Sequence, residues 1–409
     1  MPECSGTERR RLRKELLSSN PKAASQLRRS RVLIKGVLLT DTGFVYGTAG
    51  ARAPSRRNIQ KGLFLIQPVL TDLTKTTFDA ELSPGAHNAV HTCLRIQPWE
   101  KVTLITDNIC RDIAASIAQE LLTVGSPFKA FVLEDLAPRP LIELPPEIAA
   151  DMETSQVSIF AVRVQRNELK SRMQMTDIVN RRKMRHAHMV NINRQIMLEG
   201  MRADFNRVDA LSKKVIEIVN KAKEIEAKNP AGSDFSAMLN PDYRWVKTSG
   251  IISPDKWGNL PGGEVFTAPG EVNGTYVVDG VVGDYLCEKY PDLARQPLTI
   301  HMKNNRITEV FSDNKVLEEE FWAYTHTDEN SHLVGEFAIG TNLELKHVIG
   351  QILQDEKFPG VHIAFGNPYG AHTGAEWYSS THIDVVGLHF DIWVDGQQIM
   401  EKGRFLIEA

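Results

Sequence analysis

VTLITDNICRDIAASIAQELLTVGSPFKAFVL, residues 102–133, reads as a strand, a helix and a second strand in succession. Val102–Thr106 is a short apolar run closed by Asp107 and Asn108, whose side chains accept hydrogen bonds from the first free N–H groups of a helix. From Cys110 to Val124 apolar residues recur at helical spacing, Gly125 and Pro127 stop the pattern, and Ala130–Leu133 is apolar again. Val157–Ala161 repeats the theme, Met189–Ile192 is a further candidate strand, and the spacing predicts a long helix from about Arg207 to Lys221. Strands alternating with helices imply a parallel sheet covered on both faces. Gly-x-Gly-x-x-Gly is missing from the first strand–helix turn, so this sheet need not hold a dinucleotide.

Outward from this core the character changes. Residues 1–30 are polar and basic and read as a loose arm. The strand-like runs Val32–Leu39 and Leu63–Leu70 suggest an extra β-rich element over 31–85, with the α/β domain extending over 31–250. Residues 251–409 are rich in Gly and short strands, such as Gly274–Asp279, Leu298–Met302 and Arg306–Phe311, and only Val316–Trp322 and Leu345–Leu353 read as helices. The expected fold is therefore an α/β N-terminal domain with a mostly parallel sheet, followed by a β-rich α+β domain.

The 409 residues carry 48 Lys+Arg against 51 Asp+Glu, a formal charge of −3. A chain this near neutrality lacks the basic excess of a nucleic-acid binder. With 42% hydrophobic residues it can fill a core, yet no uncharged apolar run reaches the roughly 20 residues that span a bilayer. A cytoplasmic protein with no membrane or nucleic-acid partner is expected. The cysteines, Cys4, Cys93, Cys110 and Cys287, form no C-x-x-C pair and suggest neither a disulfide framework nor a structural zinc site.

The chemistry is concentrated in four apolar, Gly-flanked segments. In Ser380–Val386, His382 and Asp384 stand two apart, on one face of a strand. His362 lies within the apolar run Val361–Phe365, Glu336 within Leu333–Gly340, and Glu264 after Gly262-Gly263. Imidazoles and carboxylates among apolar neighbours are costly to bury unless paired or metal-bound. Three carboxylates and two imidazoles suit two divalent ions (Zn, Mn or Co) bridged by one carboxylate. The alternative is one iron on His362, His382 and Asp384, which leaves Glu264 and Glu336 without a task.

These blocks, Leu260–Pro269, Gly335–Asn342, Val361–Tyr369 and Thr381–Val385, together resemble the thermophilic aminopeptidase family, metallopeptidases of the aminopeptidase T and S type. The resemblance implies that Glu264, Glu336, His362, His382 and Asp384 are metal ligands and that Tyr369 is the active-site tyrosine. It also implies a homodimer with an enclosed cavity, in which Glu264 ligates a metal or shuttles a proton. One position departs from the family: the acid often found directly before the first ligand is here Gly263. The same superfamily is similar to the ring-cleaving, iron-dependent 2,5-dihydroxypyridine dioxygenases, in which the position of Glu336 is a histidine and the positions of Glu264 and His362 lose their ligands; this sequence keeps Glu, Glu and His there, which matches the hydrolytic branch better.

The expected activity is hydrolysis of peptide or amide bonds in small substrates by water activated on two divalent metals. Hydrolysis of another amide or amine, of an aromatic or secondary metabolite, is the alternative, and iron-dependent ring cleavage is the second. His372, Trp377 and His389 are candidate substrate contacts. His186 and His188, among Arg181, Arg182, Lys183 and Arg185, read as a solvated or anion-contacting surface.

Overall fold

The computed structural model describes residues 71–408 apart from 255 and 256. The expected basic arm and the strand-like runs Val32–Leu39 and Leu63–Leu70 lie outside the described residues. The described end of the 31–85 stretch forms short helical turns, Leu73–Lys75, Ala80–Leu82 and Ser83–His87.

The opening segment folds as read. Strands β1 (Val102–Thr106), β2 (Phe128–Val132), β3 (Val157–Val162) and β4 (Arg185–Val190) pair in parallel, in the order β2-β1-β3-β4. The helix Arg111–Val124 follows β1; Asp107 Oδ1 accepts the Cys110 N–H at 2.8 Å, and Gly125 ends the helix at φ 78° with its N–H on Leu121 and Leu122. β4 begins four residues before the expected Met189, and Asn191, at φ 58°, ends it. Helix Leu169–Arg182 was not expected, because its many charges blur the apolar stripe.

Two antiparallel sheets make up the rest. Strands β5 (Glu224–Lys228) and β6 (Asp234–Met238) already belong to the larger one, whose order is β12-β11-β10-β6-β5-β16-β17-β18, with β10 Glu271–Val278, β11 Leu298–Lys303, β12 Arg306–Phe311, β16 Asp391–Val394, β17 Gln397–Glu401 and β18 Arg404–Phe405. The smaller sheet runs β15-β14-β13-β9-β7, from β7 (Val246–Thr248) and β9 (Glu264–Thr267) through β13 (Val334–Gly340) and β14 (Gly360–Gly366) to β15 (His382–Val386). Between them in sequence, β8 (Gly258–Asn259) returns to pair with β4 in the parallel sheet. Residue 250 thus falls between strands that share a sheet, since Thr248 pairs with Glu264.

Helix Phe205–Val219, capped by the Asp204 carboxylate, joins the two layers: Phe205 and Val208 enter the core of the parallel sheet, while Leu211, Val215 and Val219 enter that of the antiparallel sheets. The helix expected over Leu345–Leu353 is a correction. Only Ile352–Asp355 is helical, because Gly350 turns the chain at φ 74° and the Asp355 carboxylate accepts the Ile349 and Gln351 N–H groups in a loop. Among the described residues no helix is long and apolar enough to cross a membrane. Cys93, Cys110 and Cys287 are buried.

Candidate metal centre

The five expected ligands come together on one face of the smaller sheet. Glu264 opens β9, Glu336 lies on β13, His362 on β14, and His382 and Asp384 on β15, four adjacent strands. The period of two fixes which neighbours share that face. Ala364 pairs with both Glu336 and Asp384, Ala338 pairs with His362, and Gly366 pairs with His382. Small residues between the ligands leave the space the polar groups fill. A bulge between Val334 and Glu336 re-aims the start of β13.

The donor atoms fall into two groups that share Glu336: Glu264, Glu336 and His362, and Glu336, His382 and Asp384, each within 4.8 Å of one another. His362 Nε2 is 3.4 Å from Glu264 Oε2 and 3.3 Å from Glu336 Oε1. His382 Nε2 is 3.7 Å from Glu336 Oε2 and 3.4 Å from Asp384 Oδ1. Glu264 Oε2 and both ring nitrogens of His362 are buried without a hydrogen-bond partner. Orphaned acceptors converging in a buried site are what a bound cation satisfies, so these residues fit a divalent metal.

The surroundings orient the candidate ligands and set their charge. His382 Nδ1 donates to the Asn367 carbonyl at 2.9 Å, which turns the Nε2 lone pair towards the cluster. Glu264 Oε1 accepts from Thr248 Oγ1 at 2.6 Å and from Lys357 Nζ at 2.7 Å. Burial works against its ionised form, but Lys357 and His362 outweigh it and hold the carboxyl well below the usual range. Burial also disfavours charge on the two imidazoles, yet the carboxylates raise both to about 10. Such a concentration of acid calls for positive charge.

Sequence reasoning missed Glu356 and Lys357. They follow Gln354-Asp355 and look like a solvated turn, yet Lys357 is fully buried, bridging Glu264 and Glu356. Burial, together with Asp384 and Glu264, pushes Glu356 up to about 8 against the pull of Lys357. The only warning in the sequence was their closeness to His362.

Tyr369 stands at the cluster. Its ring lies 4.4 Å from that of His382, and its backbone takes φ 49°, a region a side chain of this size adopts only when its surroundings hold it there. A cavity of 110 Å³ is lined by Glu264, Glu336, Glu356, Tyr369, His382 and Asp384, and by His372. Trp377 does not line it: its Nε1 donates to the Gly366 carbonyl at 3.0 Å. His389 faces a separate surface groove beside Arg207 and Phe405.

The expectation of a solvated surface at His186 and His188 is corrected. Both are buried: His186 accepts or donates at Nδ1 with Ser158 Oγ at 2.8 Å and meets His188 Nδ1 through Nε2 at 3.1 Å. On β4, which is covered on both faces, successive side chains point to opposite faces, so Arg185 is carried away from His186. Burial pushes His186 down to about 3 and His188 well below its ordinary value.

A parallel sheet beside an antiparallel sheet that presents paired carboxylates and imidazoles defines a metal-dependent enzyme. The chain belongs to the thermophilic metalloprotease (M29) family, whose sequence model matches residues 182–399. It is thus a metallo-aminopeptidase-like hydrolase that uses divalent metal. Among solved structures it is similar to wild-type AmpT from Thermus thermophilus, with a TM-score of 0.61 at 16% identity over 80% of this chain and 99% of that one. It is also similar to 2,5-dihydroxypyridine dioxygenase from Pseudomonas putida KT2440, with a TM-score of 0.58 at 14% identity over 80% and 97%. At these identities the likeness is one of fold. No curated protein matches the chain in sequence.

Proposed function

We propose that this protein removes the N-terminal residue of small peptides, or cleaves a comparable small amide, with two divalent ions (Zn, Mn or Co) held by Glu264, Glu336, His362, His382 and Asp384. The observation that carries this reading is the sharing of Glu336, which turns Oε1 towards His362 and Oε2 towards His382, as a bridging carboxylate would. A single iron on His362, His382 and Asp384 would leave Glu264 and Glu336 buried against His362 with no role, which favours hydrolysis over ring cleavage.

Two divalent ions bound here supply Lewis acidity and a water acidified to a pKa of about 7. The protein supplies the rest. Glu264 serves as a ligand, since Thr248 and Lys357 occupy Oε1 and only Oε2 faces the cluster. Glu356, on the wall of the same cavity, then accepts the proton of the attacking water and returns it to the departing amine. Tyr369 donates a hydrogen bond to the oxygen on which negative charge develops, where a fixed donor contributes most. His372, which also lines the cavity, borders the substrate. A homodimer is part of the same proposal, as implied by the resemblance.

The test is release of free amino acid from unblocked peptides and from their N-acetylated counterparts. The proposal expects cleavage of the unblocked series only, abolished by chelation and restored by Zn, Mn or Co. Cleavage of aryl amides but no peptide would favour the alternative amide substrate. Oxygen uptake with hydroxylated aromatic rings, and no hydrolysis, would contradict it.

A further inference from the structure

Beyond the ligand cluster lies a second cavity, of 280 Å³, at the lower end of the range for small-molecule sites. Glu356, Tyr369, His382 and Asp384 line it from the side of the ligand cluster, and Arg163 after β3, Arg172 on the helix Leu169–Arg182, His188 on β4, and Trp257 line it from the α/β part of the chain. The lining thus joins the carboxylates of Glu356 and Asp384 to two arginines, Arg163 and Arg172, and the carboxylate of Glu288. Arg163 Nη2 meets Glu288 Oε1 at 2.8 Å, but both side chains are partly exposed, and such a pair is worth little and is readily exchanged for a ligand.

The arginines stand on a rigid base. The Arg163 N–H donates to Asp107 Oδ2 at 3.0 Å, and its carbonyl accepts from Arg139 Nη2 at 2.8 Å. Arg139, with 2% of its side chain exposed, also binds Asp107 and Glu168. The Glu168 carbonyl in turn accepts the Arg172 N–H at 3.2 Å. One buried charge cluster thus fixes the backbone at both arginines. Removing three charges from water is costly, and the arrangement makes sense where position matters. His188 adds a neutral partner: its Nδ1 is taken by His186, itself held by Ser158, which leaves Nε2 for the cavity. Trp257 flanks it, with ring centroids 5.2 Å apart.

We propose that this cavity is a carboxylate subsite, in which Arg163 and Arg172 hold a carboxylate of the substrate beyond the scissile bond, His188 donates to it and Trp257 forms the wall. The substrates are then dipeptides and other short amides that carry a carboxylate close to the cleaved bond. This rests on the reading of the ligand cluster as the hydrolytic centre.

The test is binding, by calorimetry on the metal-loaded protein, of an uncleavable dipeptide analogue whose peptide bond is replaced by CH2–NH. Three forms are compared: the free acid, its C-terminal amide, and an amide carrying an aspartate side chain. The acid should bind about tenfold or more tightly than the simple amide, the scale of a charge-assisted hydrogen bond. In Arg172→Met and in Arg163→Met that preference should collapse while the affinity for the simple amide is kept, which also shows that each variant is folded. Tight binding of the aspartyl amide would place the carboxylate on a side chain, and weak binding would place it on the main chain. Equal affinity for acid and amide in the unmodified protein, or a preference that survives both substitutions, would overturn the subsite. Lack of turnover on the cleavable dipeptide with the preference intact would overturn only the hydrolytic reading.

Discussion

Gly263→Ala gives the sharpest test of how the first ligand is placed. The resemblance leads one to expect an acid at this position, and the structure accounts for its absence. Gly263 has φ 134°, and a Cβ there would lie 2.6 Å from Asn342 Cβ and 3.0 Å from Asn342 N. Asn342 cannot retreat: its N–H donates to the Lys357 carbonyl at 3.1 Å and its Nδ2 to the Gly262 carbonyl at 3.1 Å. Gly263 is pinned as well, donating to Thr248 at 2.8 Å and accepting from Thr341 at 2.7 Å. Backbone strain of about 1–3 kcal/mol adds to overpacking of about 1–3 kcal/mol, for a total loss of about 2–6 kcal/mol. The control is Gly396→Ala, at φ 81° with nothing within 4 Å of its Cβ, which carries the backbone term alone. In scanning calorimetry Gly263→Ala should unfold about 3–8 °C below the unmodified protein, and further below it than the control. Metal content should fall too, because the displaced backbone carries Glu264. Equal unfolding temperatures for the two variants, with metal retained, would refute the reasoning.

Three further outcomes are expected. Tyr369→Phe should lower kcat by about 10²–10³-fold with little change in KM, because the hydroxyl acts on charge that appears only in the transition state; a rise in KM alone would remove Tyr369 from that role. The buried His186, held down at about 3 against 6.5 when unfolded, makes the unfolded chain the stronger proton binder between those values. Stability of the chelated protein should therefore fall as pH drops below 6.5, by about 2–3 kcal/mol at pH 4.5 from this residue. Urea unfolding of His186→Leu should show a visibly shallower pH dependence, and parallel curves would contradict the assignment. Thr248→Val, which removes a donor to Glu264 Oε1, should weaken metal binding about 10–100-fold in a competition titration with a chelator, whereas unchanged affinity would show that Lys357 alone orients the carboxylate.

Much of this was legible in the residues, for reasons that differ by element. The β1–helix–β2 segment carried its own capping groups and an apolar period, so local chemistry alone marked its limits. The candidate ligands were legible because a charge in an apolar strand contradicts its surroundings, as at Glu336 between Gly335 and Phe337. Glu356 and Lys357 gave no such contrast: their burial comes from the loop that folds over β9, a long-range event. His186 and His188 misled because alternation along β4 separates neighbours in sequence to opposite faces, so the arginines beside them say nothing about their burial. Helix Leu169–Arg182 stayed hidden behind its charges, and the loop at 345–351 looked helical until the Asp355 carboxylate claimed its N–H groups. His389, two residues from a strand of the larger sheet, shows the limit of closeness in sequence: the chain turns at φ 57° and carries it to another face.

The central claim is that Glu336 bridges two divalent ions. Elemental analysis of purified, metal-equilibrated protein and of Glu336→Ala tests it directly. About two zinc, manganese or cobalt equivalents per chain, reduced in the variant, are the expected result. One iron per chain, unchanged when Glu336 is lost, would contradict it.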